Sequence, residues 1–158
     1  MCAKLSGGSL TLVSLALGAS VAFGSAPPGL REALGEFETG ATRPTQCAAD
    51  RAVGSRQEIS RFQILPVVWR QYSNSRNYHD PDTAWEVAAR ILSDRHKWFR
   101  DATGRDWDYI DIYVMWNAPG QYRRVKWDRA RISPVVLERA ERFSNLMRER
   151  SRRYAHRN

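Results

Sequence analysis

The chain has 158 residues, 42% of them hydrophobic and six of them Trp, which is one domain's worth of sequence with enough apolar side chain for a core. Its formal charge of +8 is local: Gln121 to Asn158 carries twelve Arg and Lys against four Asp and Glu, while the preceding 120 residues balance at 13 against 13. Only Cys2 and Cys47 are present, there is no glycine-rich phosphate loop, and His79, His96 and His156 lack ligand spacing, which argues against a disulfide scaffold, a nucleotide fold and a metal centre.

Residues 1–25 read as a secretory signal peptide. Lys4 is a short positive region, Leu10 to Phe23 is an almost uncharged apolar run, and small residues follow. An uncleaved membrane anchor is the alternative. Cleavage would remove Cys2 and leave Cys47 as a single thiol, so an exported protein without an intramolecular disulfide is expected, in the periplasm, outside the cell or at the cell envelope.

Leu30 to Gly40 follows, with Leu30, Ala33, Leu34 and Phe37 at i, i+3, i+4 and i+7, the stripe of an amphipathic helix. Gly40 is suited to end it in a left-handed conformation, which places Glu38 in the last turn. The negative end of the helix dipole and partial burial both oppose ionisation there, as a general acid requires.

Ala41 to Gln57 has no sustained period and predicts a long loop. Glu58 to Ile64 leads to Pro66, whose fixed φ opens a helix running from Val67 to Tyr72. Asp80 as N-cap, Pro81 at the first position and Asp82 in the first turn start a long helix that Gly104 ends. Asp106 is expected to cap a helix from Trp107 to Trp116, with Tyr109, Ile110, Tyr113 and Trp116 on one face, and Pro119-Gly120 to break the chain. Ser133 and Pro134 open a last helix with Val136, Ala140, Phe143 and Met147 on one face and Arg and Glu opposite. With no convincing strand run, the class is all-α with about five helices, divided into a domain over 27–132 and a basic C-terminal helix and tail over 133–158.

Three segments have the chemistry to line one cleft: Glu38-Thr39-Gly40, Ser60 to Ile64 with Pro66, and Trp116 to Gly120. They supply a carboxylic acid, two neutral amides (Gln63 and Asn117) and aromatic rings, which suits an uncharged sugar polymer. The three segments resemble motifs of the soluble lytic transglycosylase and goose-type lysozyme superfamily. Glu38-Thr39-Gly40 is similar to its Glu-Ser-Gly motif, Ser60 to Ile64 with Pro66 to its Gln-Ile motif, and Trp116-Asn117-Ala118 to its aromatic-Asn-Ala run. The resemblance covers about residues 30–120 and departs from the family at three points. Thr39 stands for Ser, Trp116 for the commoner Tyr, and the loop from Glu38 to Gln63 is longer than usual. Aligned backward from Ala52-Val53 without an insertion, the acid position falls on Thr45. Either Glu38 is the acid with an inserted loop, or the fold has lost its acid.

The resemblance implies a lysozyme-like helical domain, without cofactor or metal, that cleaves peptidoglycan glycan strands between N-acetylmuramic acid and N-acetylglucosamine and leaves a 1,6-anhydro end. Glu38 would be the general acid and base, Gln63 and Asn117 would position substrate, and Tyr113 and Trp116 would form the floor of a sugar site. Glu58 is the candidate second acid, and its alternative is a surface salt bridge with Arg56 or Arg61. A hydrolytic muramidase and an inactive glycan-binding or envelope scaffold module are the other functions the motifs allow. A monomer is expected, with the basic C-terminal helix set against an anionic envelope surface and no specific nucleic-acid partner.

Overall fold

The structure is a computed structural model and describes residues 26–155, so the signal-peptide segment and His156 lie outside the described residues. Among the described residues there are seven α-helices and one short 3-10 helix. In chain order they are α1 (Leu30–Thr39), α2 (Cys47–Asp50), α3 (Pro66–Tyr72), α4 (Pro81–Thr103), α5 (Tyr109–Asn117), α6 (Pro119–Arg124), the 3-10 turn Arg129–Arg131, and α7 (Pro134–Ala155). The all-α class holds. The count exceeds the expected five because α2 and α6 are helices of four and six residues, too short for a periodic signal.

Local chemistry explains most boundaries. Gly40 ends α1 at φ 71, and its N–H bonds the Glu36 carbonyl at 2.8 Å. Pro66 opens α3. The Asp80 side chain accepts from the Thr83 N–H at 2.7 Å ahead of Pro81, and Gly104 closes α4 at φ 71. One expectation needs correction. Asp106 does not cap α5; Asp108 does, accepting from the N–H groups of Ile110 and Asp111 at 2.9 and 3.0 Å, while Asp111 accepts from the Asp108 N–H at 3.1 Å. That reciprocal box satisfies three donors, which a lone Asp106 two residues upstream cannot reach. α5 does end ahead of Pro119-Gly120, at Asn117, but a new helix follows at once. Pro119 is the first residue of α6, where its missing N–H costs nothing.

The centre of the fold is α5. Asp111 to Trp116 are six consecutive buried residues, so this helix is enclosed on all sides instead of showing one apolar face. It packs against α7, α4 and α6, while α1 lies on α7 and α3 on α4. Leu34 of α1, Trp69 of α3, Phe99 of α4 and Phe143 of α7 are fully buried around it. Each such side chain contributes about 1.5–3 kcal/mol on removal from water. The C-terminal helix is thus part of the core: Ala140, Phe143 and Met147 have no exposure.

Between α2 and α3 the chain makes an isolated antiparallel bridge, with Ile59 and Ile64 exchanging N–H to carbonyl bonds of 2.8 and 2.9 Å. Ser60 and Gln63 enter the left-handed region at φ 67 and 51 to close the bend. The segment expected to be a loop is held down by a buried ion pair. Arg61 donates from Nε to Asp50 Oδ1 at 2.5 Å, and Asp50 Oδ2 accepts from the Gln46 N–H at 2.8 Å. No described helix is long and apolar enough to cross a membrane.

Candidate active site

A cleft of about 590 Å³ opens where the end of α1, the Ile59–Ile64 bend, the end of α5 and the start of α7 converge. Glu38, Glu58, Gln63, Trp116 and Asn117 all line it, so residues spread over 80 positions of sequence meet at one site. Tyr113 does not line it. Enclosed in α5 with no exposure, it lies behind Glu38 and supports it from within the core, so it is no open floor for a sugar.

The Glu38 side chain is 8% exposed, and among the described residues Tyr113, Arg139 and Glu58 act on it. Its pKa is raised above the ordinary carboxyl value. Burial is the main cause, and the negative charge of Glu58 adds to it. The hydrogen bond from the Tyr113 hydroxyl to Oε1 at 3.0 Å and the charge of Arg139, 3.6 Å from Oε2, pull the other way without prevailing. The neighbouring Thr39 hydroxyl lies 3.0 Å from the Gly35 carbonyl and 3.1 Å from that of Arg61, tying the last turn of α1 to the bend that carries Gln63.

Glu58 is the opposite case. Burial works against its charge, but the N–H groups of Glu58 itself and Arg56 and the Arg56 guanidinium outweigh it, and its pKa is lowered. Arg56 donates from its backbone to Oε2 at 2.8 Å and from Nε to Oε1 at 3.0 Å. Two carboxyl groups therefore face one cleft with pKa values moved apart, upward at α1 and downward at the bend. Of the two salt bridges available to Glu58, the one with Arg56 forms; Arg61 is taken by Asp50.

Gln63 donates from Nε2 to the carbonyls of Ser60 and Ala52 at 3.1 and 3.4 Å, bracing the bend and leaving Oε1 beside Gly54. A Cβ at Gly54 would run into Gln63 Oε1 and Glu58 Oε2, so glycine is what lets both side chains reach the cleft together. Asn117 is exposed at the end of α5, while Trp116 is 8% exposed and has the Arg95 guanidinium over its ring at 5.6 Å.

Arg95 and Arg139 also line the cleft, and neither stands out in the motifs. Arg95 donates to the carbonyls of Met115 and Trp116 at 2.8 and 2.7 Å, capping α5 where Trp116 and Asn117 leave it, and burial brings its pKa down to about 10. A signal did exist: Arg95 falls between Ile91 and Phe99 at i+4 spacing, a cation on an apolar stripe. Arg139 interrupts the stripe of α7 in the same way, between Val136 and Phe143. Its Nε and Nη2 donate to the Tyr113 hydroxyl oxygen at 3.0 and 2.7 Å, and its guanidinium lies 5.5 Å from the Phe37 ring centroid.

The two described histidines have different partners. His79 Nδ1 is 3.3 Å from the Asp50 carbonyl oxygen, and His96 Nε2 is 3.2 Å from Asp106. Among the described residues no three His, Cys, Asp or Glu side chains are grouped to hold a metal ion. Compared with protein-family models, with curated proteins and with solved structures, the chain matches none.

Proposed function

We propose that the chain is an exported peptidoglycan lytic transglycosylase with a lysozyme-like domain, and that Glu38 is its general acid and base. The observation that carries this is the Glu38 carboxyl group, buried and pushed toward its protonated form, at the wall of a cleft also lined by two amides and an indole. In the first step the Glu38 proton passes to the oxygen bridging N-acetylmuramic acid and N-acetylglucosamine, and the C1–O bond breaks. The N-acetyl oxygen of the muramyl sugar closes on C1 and takes up the developing positive charge as an oxazolinium. The Glu38 carboxylate then removes the C6 hydroxyl proton, O6 bonds to C1, and the oxazolinium opens. Acid and N-acetyl group are both restored and no water is consumed. Asn117 and the Oε1 side of Gln63 hold the N-acetyl group and hydroxyls, and Trp116 supports the ring. Residues 1–25 would export the protein, and the exposed Arg148 and Arg152 of α7 would face an anionic envelope surface.

One observation favours a second reading. Glu58 is ionised in the same cleft, so it can hold a water on the opposite side of the sugar, and the protein would then be a hydrolytic muramidase. Incubation of the purified protein with peptidoglycan sacculi, followed by mass spectrometry of the soluble muropeptides, separates the two. Anhydro ends support the transglycosylase, and reducing ends support the hydrolase. Binding to sacculi without any product points to an inactive glycan-binding module.

A further inference from the structure

Arg139 reaches the acid from a part of the chain outside the three motifs, and the direction of its hydrogen bonds has a consequence for the proton. A guanidinium can only donate. The Tyr113 oxygen accepts from both Nε and Nη2 of Arg139, at 3.0 and 2.7 Å, so its lone pairs are taken. Its one hydrogen is left for Glu38 Oε1, 3.0 Å away. An oxygen that accepts the tyrosine hydrogen is the poorer place for the carboxyl's own proton, which belongs on Oε2.

We propose that Arg139 is a positioning residue that acts through Tyr113: it aims the tyrosine O–H at Glu38 Oε1, keeps the transferable proton on Oε2, and steadies the carboxylate left behind after the proton has gone. This rests on the reading of Glu38 as the general acid. The groups that face Glu38 are Tyr113 from α5, Arg139 from α7 and Glu58 from the bend. Of these only Arg139 carries positive charge, and at 3.6 Å from Oε2 it is too far to bond the neutral acid yet near enough to favour the anion. Stacked over the Phe37 and Tyr113 rings at 5.5 and 5.7 Å, the guanidinium is held in place, while its side chain remains 42% exposed. Its replacement therefore leaves the core intact.

The test uses the full chain in two measurements. Carbon-13 NMR titration of the Glu38 carboxyl in the free protein needs no substrate. Arg139→Gln should move its midpoint to higher pH, Arg139→Lys should stay near the parent, and Arg139→Gln should move it less in a Tyr113→Phe background. In sacculus cleavage, Arg139→Gln should lower kcat about ten-fold, the equivalent of one charge-assisted hydrogen bond, with KM little changed and the alkaline limb shifted upward. An unmoved midpoint in a natively folded Arg139→Gln protein overturns the proposal. So does an equal shift with and without the Tyr113 hydroxyl, since Arg139 would then act by charge alone. The expected midpoint shifts without glycan cleavage by any variant would support the relay and defeat the transglycosylase reading.

Discussion

The Thr39 hydroxyl lies 3.1 Å from the Arg61 carbonyl oxygen, joining the turn that carries Glu38 to the bend that carries Gln63. Only a hydroxyl in that place can donate to the bend, so Thr39→Ser should retain activity while the near-isosteric Thr39→Val should not. The valine variant should lose about 0.5–1.5 kcal/mol of stability by urea unfolding, the worth of one hydrogen bond. Its kcat for muropeptide release should fall more than that stability change explains, because the acid and the amide lose their common support.

Glu38→Gln should reduce muropeptide release by about 10²- to 10⁴-fold, the contribution of a positioned general acid. Its stability should report the raised pKa. A fold that favours the protonated form keeps that contribution below the ordinary carboxyl pKa and loses it as pH rises through the raised value. The glutamine variant has nothing to lose there. Thermal melts should find the two proteins equal in acid and the variant the more stable at neutral pH.

Asp111 is a structural charge at the heart of α5. It has no exposure and is met by Arg105 at 2.6 Å, Arg129 at 2.7 Å and the Tyr122 hydroxyl at 2.6 Å. Burial opposes its ionisation, and these bonds outweigh burial to hold its pKa low. Its stabilisation is therefore present above the ordinary carboxyl range and lost as pH falls through the lowered value. Asp111→Asn leaves Arg105 without its carboxylate and Arg129 with Asp108, 2.7 Å away, and should cost about 1–3 kcal/mol in urea unfolding. Most of that difference should vanish in strong acid.

Gly54→Ala tests the cleft without touching an acid. The backbone at Gly54 is compatible with alanine, but the added methyl meets the Glu58 and Gln63 side-chain tips. Both tips must swing out of place. Affinity for glycan fragments, read by calorimetry, should drop several-fold, while the unfolding free energy from urea titration should change by less than about 1 kcal/mol, as for a change outside the core.

The sequence by itself determined the all-α class, the starts and ends of α1, α3 and α4, and the start of α7. Gly40, Pro66, the Asp80-Pro81 pair, Gly104 and Pro134 act through bonds and dihedral limits within a few residues, so their effects can be read without knowing the rest of the fold. It also singled out Glu38, Glu58, Gln63, Trp116 and Asn117, and these do meet at one cleft. Only the tertiary structure decided what surrounds them. Tyr113 turned out to lie behind the acid, and the partners Arg95, Asp111 and Arg139 came from helix stripes where a charged residue reads as an interruption. The two charges on Glu38 come from Glu58, twenty residues away in sequence, and from Arg139, a hundred and one. A carboxyl's pKa depends on its burial and on charges a few ångströms away, and folding alone brings such distant residues together.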